Sequence, residues 1–259
     1  MVQNLRELFS LSENISSTGD YNILSLNNDD STIVRKYITE DLDFLMLYFH
    51  GGITASCLDG NALSIYKLSS GAFDTILHVW LSEQPLEKEL LTFIKKILSY
   101  AQNVNGSEQK SLAVESAIND RGDINVLTVL NTAGKVYHEV HRIMGLLRFS
   151  PEENGEYIAK CEPDHFILPA LSVYFTARFC DTPWSIIDEK RGLKLRRLPG
   201  EMAKINSINK TESSSADKSD KWKELWCHYH KTINNEDRNN PNLQRQLMPQ
   251  RYWKYLPEV

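Results

Sequence analysis

The segment Val136–Phe149, V-Y-H-E-V-H-R-I-M-G-L-L-R-F, constrains the fold more than any other stretch of this chain. At 3.6 residues per turn, Val136, Val140, Ile143 and Leu147 align in one narrow stripe, which predicts a helix packed along that stripe. His138, His141, Arg142, Gly145 and Phe149 fall on the opposite face. Two imidazoles, a guanidinium and a glycine are not the usual coat of a solvated helix. A helical glycine costs about 1 kcal/mol relative to alanine, so Gly145 is read as a point of close approach. Arg142 and Arg148 are then candidates to grip phosphate. The competing reading is a helix between two layers, its His and Arg satisfied by internal carboxylates. For His138 that reading is favoured; for His141 and Arg142 the two stand even.

Helical patterning also covers Phe73–Leu81 and Leu86–Tyr100, with a break at Ser82–Pro85 and a loop at 101–110. Pro169 suits the first turn of a helix running to about Phe179. Trp184–Asp188 and Leu193–Arg196 read as a hairpin turning through Lys190-Arg191-Gly192, and Tyr157–Cys161 as a strand. Earlier, Tyr21–Leu26, Phe44–Phe49 and Leu63–Leu68 are strand candidates between turn signals, Ser16–Gly19 among them. Residues 200–220 read as a long surface loop. Trp222, Leu225, Trp226, Tyr229 and Ile233 recur at helical spacing and are expected in a core, followed by an aromatic tail docked on the body. The expected fold is α+β: a mostly helical body with a small antiparallel sheet over 157–161, 184–188 and 193–197. The expected organisation is residues 1–70 as a divergent N-terminal region and 71–259 as the main domain.

Composition sets limits. Of 259 residues, 41% are hydrophobic and 24% charged, ordinary for a chain with a core. No apolar run approaches the roughly 20 residues that span a bilayer, so no membrane association is expected. The opening residues lack a basic segment followed by an apolar stretch, so no secretion signal is expected and the location is read as cytoplasmic. Four scattered cysteines without a C-x-x-C pair read as free thiols. Residues 1–134 hold 9 Lys+Arg against 17 Asp+Glu, a balance of −8, whereas residues 135–259 hold 20 against 17, a balance of +3. A mildly basic second half suits a phosphate-bearing partner but falls short of an obligate nucleic-acid binder.

Several side chains are candidates for chemistry. Glu162-Pro163-Asp164-His165 lies between a strand end and a helix start, a common ligand position. Asp164 is read first as a helix cap; His165 is open. Arg191, Lys194 and Arg196, with Lys190 and Arg197, make a basic hairpin on which Lys194 and Arg196 face away from Leu193 and Leu195. No metal site is expected, because His138-Glu139-Val140-His141 lacks the H-E-x-x-H spacing. No phosphate loop, nucleophile elbow or cysteine cluster is present.

Four ordered motifs combine these residues. They are His141-Arg142-x-x-Gly145-x-x-Arg148-Phe149; Glu162-Pro163-Asp164-His165 with Leu168-Pro169; Phe175-x-x-Arg178-Phe179 with Trp184-x-Ile186-x-Asp188-x-x-Arg191; and Asn240-Pro241 through Arg251-Tyr252-Trp253-Lys254-Tyr255-Leu256-Pro257-Glu258. Together with Leu81–Pro85 and Glu87 they resemble, over roughly residues 75–259, a bacterial domain family of unknown function classed as a probable DNA metabolism protein. Residues 1–70 depart from its pattern. The resemblance implies a radical S-adenosylmethionine (SAM) protein as partner, since the family's genes sit beside one. It also implies a link to family 4 uracil-DNA glycosylase, to which the domain is found fused. S-adenosylmethionine and an iron–sulfur cluster are then expected on the partner, with no cofactor in this chain. The resemblance carries no catalytic residue over.

Three functional readings follow. The first is an accessory protein of DNA repair or DNA modification working with the radical SAM partner. The second is an enzyme acting on nucleic acid or nucleotides, with His141, Asp164 and His165 as catalytic candidates and Arg142 and Arg191 in the same cleft. The third is a DNA-binding module without catalysis.

Overall fold

The computed structural model describes residues 5–18, 39–58, 60–103, 106–208, 221–238 and 240–257. It is an α+β fold, and the chain divides into two compact units, Met1–His138 and Glu139–Val259. The division falls within a helix.

The first unit is helical. Its elements are α1 (Leu5–Thr18), α2 (Thr39–Phe49), α3 (Gly60–Leu68), α4 (Ser70–Leu81), α5 (Glu87–Gln102), α6 (Ser107–Ile118) and the first part of α7 (Ile124–Leu146). Three of them differ from expectation. α1 runs through the turn signal at Ser16, because Leu5, Leu8, Phe9 and Ser12 recur at helical spacing and are all buried. α2 and α3 replace the strands expected at Phe44–Phe49 and Leu63–Leu68. Short apolar runs fit either period, and here burial follows the helical one: Leu45 and Met46 in α2, Ala62 and Ile65 in α3. The strand expected at Tyr21–Leu26 lies outside the described residues. The expected 101–110 loop shrinks because α6 begins at Ser107 and buries Val114 and Ala117.

Local chemistry sets the helix starts. Ser69 caps α4, its hydroxyl accepting from the Ala72 amide at 3.1 Å. Asp123 does the same for α7, accepting from the Asn125 amide at 2.9 Å. The Lys96 ammonium holds Asp120 at 2.7 Å and Asp123 at 2.8 Å, fixing the turn that launches α7. Asp74 accepts from the Tyr48 hydroxyl at 3.1 Å and from the Tyr137 hydroxyl. His78, one turn from Asp74, stacks on Tyr137 at 3.8 Å, and burial holds its pKa below the ordinary value against the pull of Asp74.

The second unit is built on a five-stranded sheet. In spatial order it comprises β1 (Ser150–Pro151), β2 (Tyr157–Cys161), β3 (Trp184–Asp188), β4 (Leu193–Arg197) and β5 (Lys204–Ser207). The expected sheet was antiparallel; the observed one is mixed. β2 and β3 run parallel, Tyr157 opposite Trp184 and Cys161 opposite Asp188, because α8 (Leu168–Phe179) carries the chain back between them. The remaining pairs are antiparallel. β5 occupies part of the expected 200–220 loop, and residues 209–220 lie outside the described set. α8 packs on β3 and β4. Trp184, fully buried, meets Phe175 at 6.0 Å and Phe179 at 6.4 Å. The chain continues through α9 (Lys221–Ile233), α10 (Pro241–Leu247) and a tight turn, Gln250–Tyr255, which packs on β2. Tyr252 and Leu256 anchor this tail at 2% and 4% exposure.

Of the described residues, no helix is long and apolar enough to cross a membrane. The cysteines are free: Cys161 is buried, Cys57 and Cys180 are exposed, and Cys227 is intermediate.

Candidate functional site

The apolar stripe of α7 is buried as its spacing predicts at Val136, Val140 and Ile143. The same side of the helix carries a carboxylate. Glu139 is three residues after Val136 and four before Ile143, and it is 3% exposed. A buried carboxylate is tolerated only when its lone pairs are filled. Here they are. Oε1 accepts from the Asp164 amide at 2.8 Å and the Tyr252 hydroxyl at 2.7 Å. Oε2 accepts from the His165 amide at 2.9 Å and faces His165 Nδ1 at 2.6 Å. Burial alone would raise the carboxyl pKa. The bonds from His165, Tyr252 and the two amides outweigh it and hold Glu139 down at about 2.

The Glu162–His165 loop is gripped from two further directions. Arg191 donates to the Pro163 carbonyl at 3.1 Å and the Asp164 carbonyl at 2.9 Å, and to Asp188 at 2.8 Å. Lys190 adds a bond to the Asp164 carbonyl at 2.8 Å. Asp188 is fully buried, and burial raises its pKa despite Arg191. From the C-terminal turn, Arg251 pairs with Asp164 at 2.5 Å and donates to the Tyr252 hydroxyl at 2.9 Å. Lys254 pairs with Glu162 and lowers its pKa, while Tyr255 donates to Glu189 at 2.7 Å. Burial, then the Glu139 bond, raises the Tyr252 phenol, so it remains a donor.

Asp164 and His165 therefore meet in one network with Arg191, Glu139, Arg251 and Tyr252. Asp164 does not cap α8: Ile167 holds that position without a side-chain bond, and the Asp164 carboxylate turns to Arg251. Among the described residues, no hydrogen bond engages His165 Nε2 and none joins His141 or Arg142 to the network. His141 is exposed and Arg142 half-buried. Among the described residues, a Cβ built at Gly145 meets nothing within 4 Å.

The basic candidates are largely engaged. Arg191 is committed to the loop. Lys194 and Arg196 leave the Leu195 face of the sheet as expected, but both pair with buried Glu156, at 3.6 Å and 2.8 Å. Arg148 donates to the Gly145 carbonyl at 3.0 Å and lies 5.7 Å over the Trp226 ring. Trp226 is itself a correction: expected in a core, it is 39% exposed. The side chain of Trp222 lies outside the described residues. Among the described residues, no group of three His, Cys, Asp or Glu side chains is placed to hold a metal ion.

Sequence reasoning passed over Glu139, Arg251 and Tyr252 as site residues. The signal for Glu139 was present, a lone carboxylate on the apolar side of a helix. Arg251 and Tyr252 stand out in the sequence only as part of the tail motif.

The chain matches one protein family, a domain of unknown function (DUF4130), over residues 91–258. The match starts inside α5, so the Leu81–Glu87 element precedes it, and it contains the whole Glu139–His165 network. No curated protein and no solved structure matches the chain.

Proposed function

We propose that this chain, which belongs to the DUF4130 family, is an accessory protein of DNA repair or DNA modification that works beside a radical SAM partner. One observation carries the reading. Asp164 and His165 of the second motif and Tyr252 of the fourth bond Glu139, a residue of the helix that bears the first, and Arg191 of the third grips the Asp164 carbonyl beside it. Motifs distant in sequence that meet around one buried carboxylate mark a surface held in a fixed shape. That surface includes His165, whose Nδ1 faces Glu139 and whose side chain is 14% exposed, and the bonds hold the Glu162–His165 loop in place. Arg142, half-buried one turn along α7 from Glu139, is the phosphate contact in this reading. In this reading the partner holds S-adenosylmethionine and the iron–sulfur cluster, both proteins work in the cytoplasm, and a uracil-DNA glycosylase-type protein belongs to the same process.

The test is co-expression with the neighbouring radical enzyme and affinity purification with and without DNA. Co-elution at fixed stoichiometry is expected. No association under either condition rejects the reading.

A second reading, an enzyme acting on nucleic acid or nucleotides, is favoured by one geometry. A buried carboxylate 2.6 Å from His165 Nδ1 orients the ring and leaves Nε2 to move a proton. His141, exposed and outside the network, is not needed for it. If the purified chain turns over damaged oligonucleotides or nucleotides, His165→Gln lowers kcat by about 100-fold or more. Unchanged turnover in a folded variant rejects the enzyme reading.

A further inference from the structure

We propose that the outer face of α9, with Arg148 beside it, is a stacking platform for unpaired bases of single-stranded nucleic acid. The inference rests on the DNA reading above and names the form of nucleic acid that this surface takes.

α9 is turned the wrong way for a core helix. Leu225, Trp226, Tyr229 and Ile233 lie on one stripe about 100° wide, and all four are exposed, Tyr229 by 52%. The other side of the helix is tied down: Cys227 Sγ lies 2.9 Å from the Pro257 carbonyl of the anchored tail. The apolar face is therefore held outward. Its two rings stand 5.8 Å apart and 36° from parallel. Arg148, bonded to the carbonyl end of α7, places a guanidinium against Trp226. Exposed aromatic faces next to a cation are how sequence-tolerant single-strand binders hold bases, and each stacked base contributes about 1–3 kcal/mol.

Charge selects the occupant. Residues 221–247 carry five Lys+Arg against three Asp+Glu, with two histidines besides. An apolar strip on a segment with an excess of cations complements a chain of bases on a phosphate backbone. A duplex satisfies the charge but keeps its base faces inside the stack, so it cannot use the rings.

The test is fluorescence anisotropy of the full chain with a labelled oligothymidine of about 20 nucleotides, longer than a typical single-strand site, and with a duplex of equal length. The single strand binds about tenfold or more tighter than the duplex. Trp226→Ala with Tyr229→Ala weakens single-strand binding by at least about tenfold, the effect of losing one to two stacked bases. Tyr229→Phe, which keeps the ring, binds like wild type, and circular dichroism checks that each variant keeps its helix content. If the double variant binds like wild type, the platform is overturned and the DNA reading survives. If the wild-type chain binds no nucleic acid, the platform falls and so does direct DNA contact, while the partner association stands on its own purification test. If the double variant only abolishes concentration-dependent self-association seen by light scattering, the face joins two copies and the inference is overturned.

Discussion

Glu139→Ala will lower the stability of the second unit by about 3–5 kcal/mol, because four donors lose their acceptor together and buried unpaired donors cost about 1–3 kcal/mol each, not fully additively. The donors are the Asp164 and His165 amides, the Tyr252 hydroxyl and His165 Nδ1. In urea this moves the unfolding midpoint by about 2 M. Tryptophan fluorescence follows the event, since every tryptophan except Trp80 belongs to this unit. Glu139→Gln, which keeps the shape and one acceptor oxygen, loses less. The pH dependence has a defined sign. The folded carboxyl titrates at about 2 against an ordinary 4.5, so the unfolded chain binds the proton first. The stabilisation is complete above about pH 4.5 and is lost as pH falls towards 2. Glu139→Gln flattens that acid limb. An acid limb identical to wild type would show that Glu139 is not the titrating hub.

Arg191→Met is the second large effect, about 3–5 kcal/mol near neutral pH, because it leaves Asp188 as a buried carboxylate without its cation. The loop also loses its bonds to the Pro163 and Asp164 carbonyls. Burial already raises the Asp188 pKa above the ordinary 3.8, and removing Arg191 raises it further. For an acid whose folded pKa is raised, the folded state holds the extra proton. Stability therefore falls as pH rises from about 3.8 through the folded value. The variant's deficit is small near pH 4 and grows towards pH 7. Adding Asp188→Asn to Arg191→Met recovers part of the loss at pH 7. A deficit independent of pH, or no recovery, would assign the effect to the loop carbonyls alone.

Both predictions concern groups of uneven visibility in the sequence. Arg191 stood in a recognisable turn after Asp188, and i,i+3 spacing brought the two within reach. Its bonds to the Glu162–His165 loop depend on β3 lying parallel to β2, a pairing that local pattern does not encode; the hairpin signal suggested only antiparallel neighbours. Glu139 carried a weaker sign, a charge within the Val136, Val140 and Ile143 stripe. The polar face opposite is the more conspicuous one, and there a Cβ at Gly145 meets nothing within 4 Å among the described residues. The α9 stripe shows the converse. Its spacing established an amphipathic helix but not which way that face turns, and the structure turns Trp226 and Tyr229 outward.

The sequence by itself determined what depends on neighbours a few residues apart. That covers the period of α7, the start of α8 near Pro169, the β3–β4 hairpin, the alternation that sends Lys194 and Arg196 to one face, and the family. Tertiary structure decided what depends on partners far apart. Tyr252 reaches Glu139 across 113 residues of chain, and β2 pairs with β3 only because α8 returns the strand in the same direction. Local propensity acts through backbone dihedrals and side-chain period, which are written in adjacent residues. A buried carboxylate is instead satisfied by whichever donors the fold delivers, and that choice is made only when the segments meet.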